Sequence, residues 1–311
     1  MAARLAIAAV ALALCASIAP SKAAEEPAPA TTQELVQLET DRHDRMTVPV
    51  TIGEHGPYDF LIDTGSERTV LSRKIATAMG LAISGNAVIV GVAGSIPVEV
   101  VDLDELTFGR RTYYGINAPL LEDEHIGADG IVGLDSLQQQ RVVFDFAKNH
   151  MYVDESAKRT SLKGFAIVVQ ARRRSGQLIM TNASVDGVPT DIVIDTGSDG
   201  SIGNLALQKA LSRSRNPKTT SLYSVTGQIV SADLGFARMV DIDGMRLHNT
   251  VLAYADAPAF HRLGLVKRPA LLMGMTQLRM FRRVAIDFAA RRVLFDVPIN
   301  IAGLNNGGRP F

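Results

Sequence analysis

An apolar run closing on Asp-Thr-Gly-Ser occurs twice in this 311-residue chain, as FLIDTGS at residues 60–66 and as IVIDTGS at residues 192–198. Such a run is the pattern of a buried strand entering a tight turn, because β-branched and large apolar residues suit a packed, pleated surface while Asp and Gly suit the turn. Two copies require a fold that offers this strand-and-turn unit two equivalent places.

The correspondence extends well beyond the tetrapeptide. Pro57 stands six residues before Asp63, and Pro189 stands six before Asp195. Nine residues after each Asp comes a helix N-cap type, Ser72 or Asn204, heading a short helical segment. Gly94 lies 31 residues past Asp63 and Gly227 lies 32 past Asp195, each in a stretch that predicts a β-hairpin. Two apolar residues and a glycine, Gly133 or Gly274, then lead into another short helix. Each unit closes on a terminal hairpin, VVFDFAKNHMYVD or VAIDFAARRVLFD. A repeat of roughly 120 residues is too long for a solenoid and matches two lobes produced by duplication. The expected organisation is a first lobe over residues 45–160 and a second over 161–298, followed by a tail, 299–311.

The N-terminus has a different character. Met1–Arg4 is a short positive start, Leu5–Ala19 is largely apolar, and Ser21, Lys22 and Ala23 supply a small-x-small site. The apolar stretch is too short to span a bilayer. It is therefore expected to be a secretory signal, residues 1–23, with a flexible Pro- and Ala-rich leader over 24–44. Cys15 is the only cysteine and lies within the signal; the large Leu14 before it argues against a lipid-attachment box. An exported chain without disulfides must rest on its core, which points to a bacterial periplasm.

Composition excludes several function classes. The full chain carries 32 basic and 32 acidic residues; loss of Arg4 and Lys22 with the signal leaves 30 against 32, a net charge of −2. That balance favours neither nucleic acid nor an anionic membrane. The six histidines show no metal-ligand spacing, so neither a metal nor any other cofactor is expected. No phosphate loop or Gly-x-Ser-x-Gly elbow is present. The run RRRSG at the lobe junction is expected to be a solvated loop, Asp145 and Asp287 in the terminal hairpins to be structural, and Met273, Met275 and Met280 to fill core space.

Apolar-apolar-Asp-Thr-Gly-Ser, a hairpin about thirty residues on, and apolar-apolar-Gly before a short helix together resemble the aspartic proteases. DTGSERTVL resembles the retropepsin branch, in which an acidic residue commonly stands four after the catalytic Asp; Glu67 and Asp199 hold that position. The match between the two units covers nearly the whole mature chain. The resemblance implies an all-β acid-protease fold of two similar β-barrel-like lobes with a few short helices, related by a pseudo-two-fold axis, as a fused single-chain monomer. It departs from the family at Leu134 and Met275, where retroviral enzymes often place an arginine that pairs with the acidic residue. Tyr223 could play the part of the tyrosine in pepsin-like flaps, whereas the first unit has no such residue, so which hairpin covers the substrate stays open.

The chemistry explains the duplication. Peptide hydrolysis needs an activated water and a polarised carbonyl, and two carboxyls about 3 Å apart hold one proton between them because both cannot ionise. The ionised partner then takes a proton from water while the protonated one bonds the carbonyl oxygen. Asp63 and Asp195 are the expected catalytic pair. The resemblance implies that Gly65 and Gly197 turn backbone amides toward the carboxylates, that Thr64 and Thr196 lock the two loops together, and that Ser66 and Ser198 donate to the outer carboxylate oxygens. It also implies that a polypeptide substrate binds as an extended strand near Glu67, Asp199, Gly94, Tyr223 and Gly227. The rival reading is a peptide-binding module that keeps the bilobal groove without turnover.

Overall fold

The computed structural model describes residues 46–109, 111–138, 140–155, 165–211 and 218–296, together with the strands Ile7–Ala9, Leu12–Leu14, Glu34–Gln37 and Glu39–Thr40. The cleavage site expected after Ala23, most of the 24–44 stretch and the tail 299–311 lie outside these residues. Strands dominate, with six short helices among the described residues: α1 Arg73–Ala78, α2 Asp123–Ile126, α3 Leu134–Leu137, α4 Leu205–Leu211, α5 Pro258–Arg262 and α6 Met275–Leu278. None is long and apolar enough to cross a membrane.

Both lobes are organised around the same strand crossing. In the first, His55–Ile62 runs parallel to Gly130–Val132, which is antiparallel to Val70–Ser72, which is parallel to Arg111–Leu121. In the second, Asp191–Ile194, Ala270–Met273, Ser201–Gly203 and Met245–Tyr254 take those places with the same senses. Register is matched too: Val132 lies opposite Ile62 and Met273 opposite Ile194, one residue ahead of each motif Asp. The innermost strands are buried throughout, which is why they read as continuous apolar runs without alternation.

The predicted caps form. Ser72 Oγ accepts the Ile75 amide at 3.2 Å to open α1, and Asn204 Oδ1 accepts the Leu207 amide at 2.8 Å to open α4. Gly133 and Gly274 head α3 and α6 where a second backbone segment passes against them. A Cβ at Gly133 would sit 2.3 Å from the Arg68 carbonyl, and one at Gly274 would sit 2.3 Å from the Gly200 oxygen, so only glycine admits the approach.

The two terminal hairpins join into one sheet. Gln140–Asp145 pairs with His150–Glu155, Arg283–Asp287 pairs with Arg292–Asp296, and the hairpins pair with each other with Val143 opposite Ala285. Ile167–Arg174 extends one edge and Glu34–Gln37 the other, giving six strands shared by both lobes. Period-two alternation sends Val142, Phe144, Ile286 and Phe295 to the main core, while Val143, Ala285 and Leu294 pack on the other face near Phe165 and Val168. Within this sheet Asp145 accepts the Lys148 amide and Asp287 the Ala290 amide, matching turn contacts that account for both aspartates.

Three expectations need correction. Part of the stretch expected as a flexible leader contributes an edge strand, Glu34–Gln37, because its backbone completes the open edge of His150–Glu155. Arg172–Arg174 are exposed as anticipated but end a strand instead of forming a loop. Met273 and Met275 are buried, whereas Met280 is 43% exposed just past the end of α6.

The hairpin of the first lobe, Ile83–Gly91 with Gly94–Phe108, meets that of the second, Thr219–Ser224 with Ile229–Ile242. A Cβ on Gly91 would lie 2.2 Å from Ser224 Oγ, and one on Gly94 would lie 2.9 Å from the Gln228 side chain. The tips also exchange anchors. Val92 packs among second-lobe Ile202, Leu222 and Leu272, while Val225 packs among first-lobe Leu61, Ile89 and Ile126. Burying a valine stabilises by about 2 kcal/mol, so the exchange holds both hairpins down. Along their outer edges Ile7–Ala9 runs parallel to the second hairpin and Leu12–Leu14 antiparallel to the first.

Candidate active site

Asp63 and Asp195 each leave a buried strand and enter a turn whose backbone amides fold back onto the carboxyl. Gly65 and Ser66 N–H donate to Asp63 Oδ1 at 2.7 and 3.0 Å, and Gly197 N–H donates to Asp195 Oδ1 at 3.2 Å. The supporting contacts repeat: Asp63 N–H bonds Val132 O at 3.1 Å and Asp195 N–H bonds Met273 O at 3.0 Å, while Ser66 O and Ser198 O accept from Leu134 and Met275, each at 2.8 Å. The helices opened by Gly133 and Gly274 thus clamp the two loops from behind.

The loops interlock through their threonines. Thr64 N–H donates to Thr196 Oγ1 at 3.0 Å and Thr196 N–H to Thr64 Oγ1 at 3.3 Å, while the hydroxyls donate onward to Ile194 O at 3.1 Å and Ile62 O at 2.8 Å. All four bonds are buried and cross the lobe boundary. The result brings the carboxyls together: a Cβ at Gly197 would fall 2.5 Å from Asp63 Cγ. Both aspartates are buried, at 1% and 3% exposure. Burial, and then the charge of Asp63, hold the Asp195 carboxyl well above the usual carboxylate range, against the pull of the Gly197 and Ser198 amides. The arrangement keeps a proton where a lone aspartate would lose it.

The serines do something other than expected. Ser66 Oγ donates to Arg68 O at 2.7 Å and Ser198 Oγ to Gly200 O at 2.8 Å, so both hydroxyls staple their own turns and leave the carboxyls to the amides. A serine in a tight turn reaches a carbonyl two residues on more easily than a carboxylate behind it.

The other predicted residues divide. Glu67 is met by Arg262 of α5, whose Nε donates to Oε1 at 2.6 Å while Nη2 bonds Oε2, a two-pronged pair between lobes. This supplies the arginine missing at position 134 from elsewhere in the fold. The Asp199 main-chain carbonyl accepts from Thr276 N–H and Oγ1, at 2.8 and 2.7 Å. The first lobe uses Asp135 at that helix position instead, and its carboxylate accepts the Thr69 amide and hydroxyl. Gly94 and Gly227 sit at the two tips, and Tyr223 stands 40% exposed on the second hairpin. Val92, at the tip of the first hairpin, lines a small pocket with Gly65, Asp195, Ile202, Leu272, Ala259 and Gln177, so the first hairpin reaches the Asp195 side of the pair.

A family model described as aspartyl protease matches residues 48–136 and 181–276. The chain belongs to the aspartyl protease family. Its two matched segments fall one in each lobe, and each contains one Asp-Thr-Gly-Ser turn, one tip and one clamping glycine. A search among curated proteins finds no match. As an aspartyl protease it carries two further residues, held against the first Asp-Thr-Gly-Ser loop and Glu67, that sequence reasoning missed. Arg262 had no motif to mark it, lying 195 positions from Glu67. Gln177 had a faint one, a lone amide side chain after a Ser-Gly turn at the head of the apolar strand Gln177–Met180.

Proposed function

We propose that the chain is an exported aspartic endopeptidase that cuts peptide bonds with Asp63 and Asp195 as its acid and base. The observation that carries this reading is a pair of buried carboxyls brought together by threonine-locked loops, with the proton affinity of Asp195 raised by burial and by Asp63. In the resting pair one proton is shared. The ionised carboxyl draws a proton from a water lying between the two, the hydroxyl of that water attacks the peptide carbonyl, and the protonated carboxyl donates to the developing oxyanion. The amides of Gly65, Ser66 and Gly197 hold the carboxyls in place through the step.

The substrate is an extended polypeptide. Both hairpins have an outer edge that pairs with a strand of the full chain, Ile7–Ala9 or Leu12–Leu14; loss of the signal frees these edges, and main-chain pairing of this kind recognises backbone irrespective of sequence. One chain contributes both aspartates, so the active form is a monomer. The apolar Leu5–Ala19 stretch ahead of Ala23 directs export, and the lack of any cysteine beyond Cys15 fits a bacterial periplasm.

The test is cleavage of a diverse peptide library by the mature protein from about pH 3 to 8, with and without pepstatin, beside Asp63→Asn and Asp195→Asn. Cleavage that disappears in both variants, with the fold intact by circular dichroism, supports the reading. Undiminished cleavage in either one rejects it.

A further inference from the structure

Gly227, at the tip of the second hairpin, lies over the ring of His125, a first-lobe residue on α2. A Cβ built on Gly227 would fall 2.4 Å from His125 Cε1 and 2.8 Å from each ring nitrogen, so the backbone rests on the imidazole with no room for a side chain between them. The His125 side chain is 37% exposed, so core packing is not what it serves. Its helix is fastened independently of the hairpin: Glu122 accepts from Arg73 Nε at 2.9 Å, and Gly127 N–H closes α2 on Asp123 O at 2.8 Å.

The tip is stiff as well. Ser224 Oγ and Thr226 Oγ1 share a hydrogen bond at 2.7 Å, Thr226 N–H donates to Ser224 Oγ at 3.2 Å, and Thr226 Oγ1 donates to Gln228 Oε1 at 3.2 Å. Ser224 and Gln228 are the residues that Gly91 and Gly94 of the first hairpin abut. A stiff tip on a fastened helix has one height, and the first hairpin takes its own from it. The seats of the two tips differ. Val225 packs beside Ile126 and Val92 beside Phe260, but the residue ahead of Ile126 is His125 and the one ahead of Phe260 is Ala259.

We propose that His125 is a positioning residue: its ring is the seat that fixes the second hairpin, and through it the first, over the peptide cleft. Burial of Val225 draws the tip down, and the ring sets where it stops.

This inference rests on the peptide-cleft reading above, and its test separates the two. Amide hydrogen exchange of the mature protein is followed by mass spectrometry. His125→Ala should speed exchange at residues 224–228 and 91–94 about 10-fold or more and leave the terminal hairpins unchanged, while His125→Phe, which keeps a flat ring, should stay near wild type. Unaltered exchange at the tips in His125→Ala, or an equal rise in the terminal hairpins, overturns the assignment whether or not the protein cuts peptides. Gly227→Ala strains a φ of +77° in any background, so its effect on exchange should be smaller beside His125→Ala than alone; equal effects would show that the ring is not the seat. On substrates found in the library, His125→Ala should lower kcat/KM about 5-fold or more, chiefly through KM, with recovery in His125→Phe. A loss confined to kcat would overturn the seat. The exchange pattern without cleavage of any peptide would support the seat and reject the endopeptidase.

Discussion

Arg262 grips Glu67 with two nitrogens across the boundary between the lobes, four residues beyond Asp63. Both side chains are largely shielded, at 23% and 19% exposure, so the pair is worth more than a surface contact. Arg262→Ala should cost about 1–3 kcal/mol and lower the melting temperature by several degrees, leaving Glu67 without its partner. The double variant Arg262→Ala with Glu67→Gln should lose less than the sum of the single changes in a denaturation cycle; strict additivity would show that the two do not interact.

Thr64→Val removes one hydroxyl and strands both the Thr196 amide and part of the Ile194 carbonyl. We expect a loss of about 1–3 kcal/mol by urea unfolding, together with a fall in kcat. Thr64→Ser, which keeps the hydroxyl, should recover most of both. A valine variant with unaltered stability would mean that the loops are aligned by packing alone.

The pH dependence of stability follows from Asp195. Its folded pKa is raised above the ordinary 3.8, first by burial and then by Asp63. The folded chain therefore keeps a proton that the unfolded chain has already released, and stability from this group is full below about pH 4 and lost as pH rises through the folded value. Melting curves of wild type and Asp195→Asn should diverge with increasing pH, the variant gaining relative to wild type. Parallel curves between about pH 4 and 7 would contradict the shift.

Ser66 offers a contrast, because its hydroxyl serves Arg68 O instead of the Asp63 carboxyl. Ser66→Ala should cost about 1 kcal/mol of stability while leaving the acidic limb of the pH–rate profile where it is. A displaced limb would place the hydroxyl on the carboxyl during turnover.

Local patterns made the repeat legible. The capping residues Ser72 and Asn204, the clamping glycines Gly133 and Gly274, and the terminal hairpins each depend on a few neighbouring residues, and sequence records such dependence directly. Contacts between distant segments left no such record. The exchange of Val92 and Val225 between lobes is written only as two valines in turns, and the pairing of Val143 with Ala285 only as two ordinary strand positions. The serine hydroxyls were misread for a related reason: motif position tells which residues surround a carboxyl but not which of two nearby acceptors wins the hydrogen.

The six-stranded sheet centred on Val143 and Ala285 bears on how the two lobes came to share a chain. Each terminal hairpin meets its counterpart along a ladder in which Arg141 faces Asp287 and Asp145 faces Arg283, an arrangement that looks the same from either side. The ladder is thus self-complementary: each hairpin presents to the other the same edge it receives, as two copies of one lobe would. The single chain does not hold the halves to identity, since the clamping helix carries Asp135 in one and Thr276 in the other.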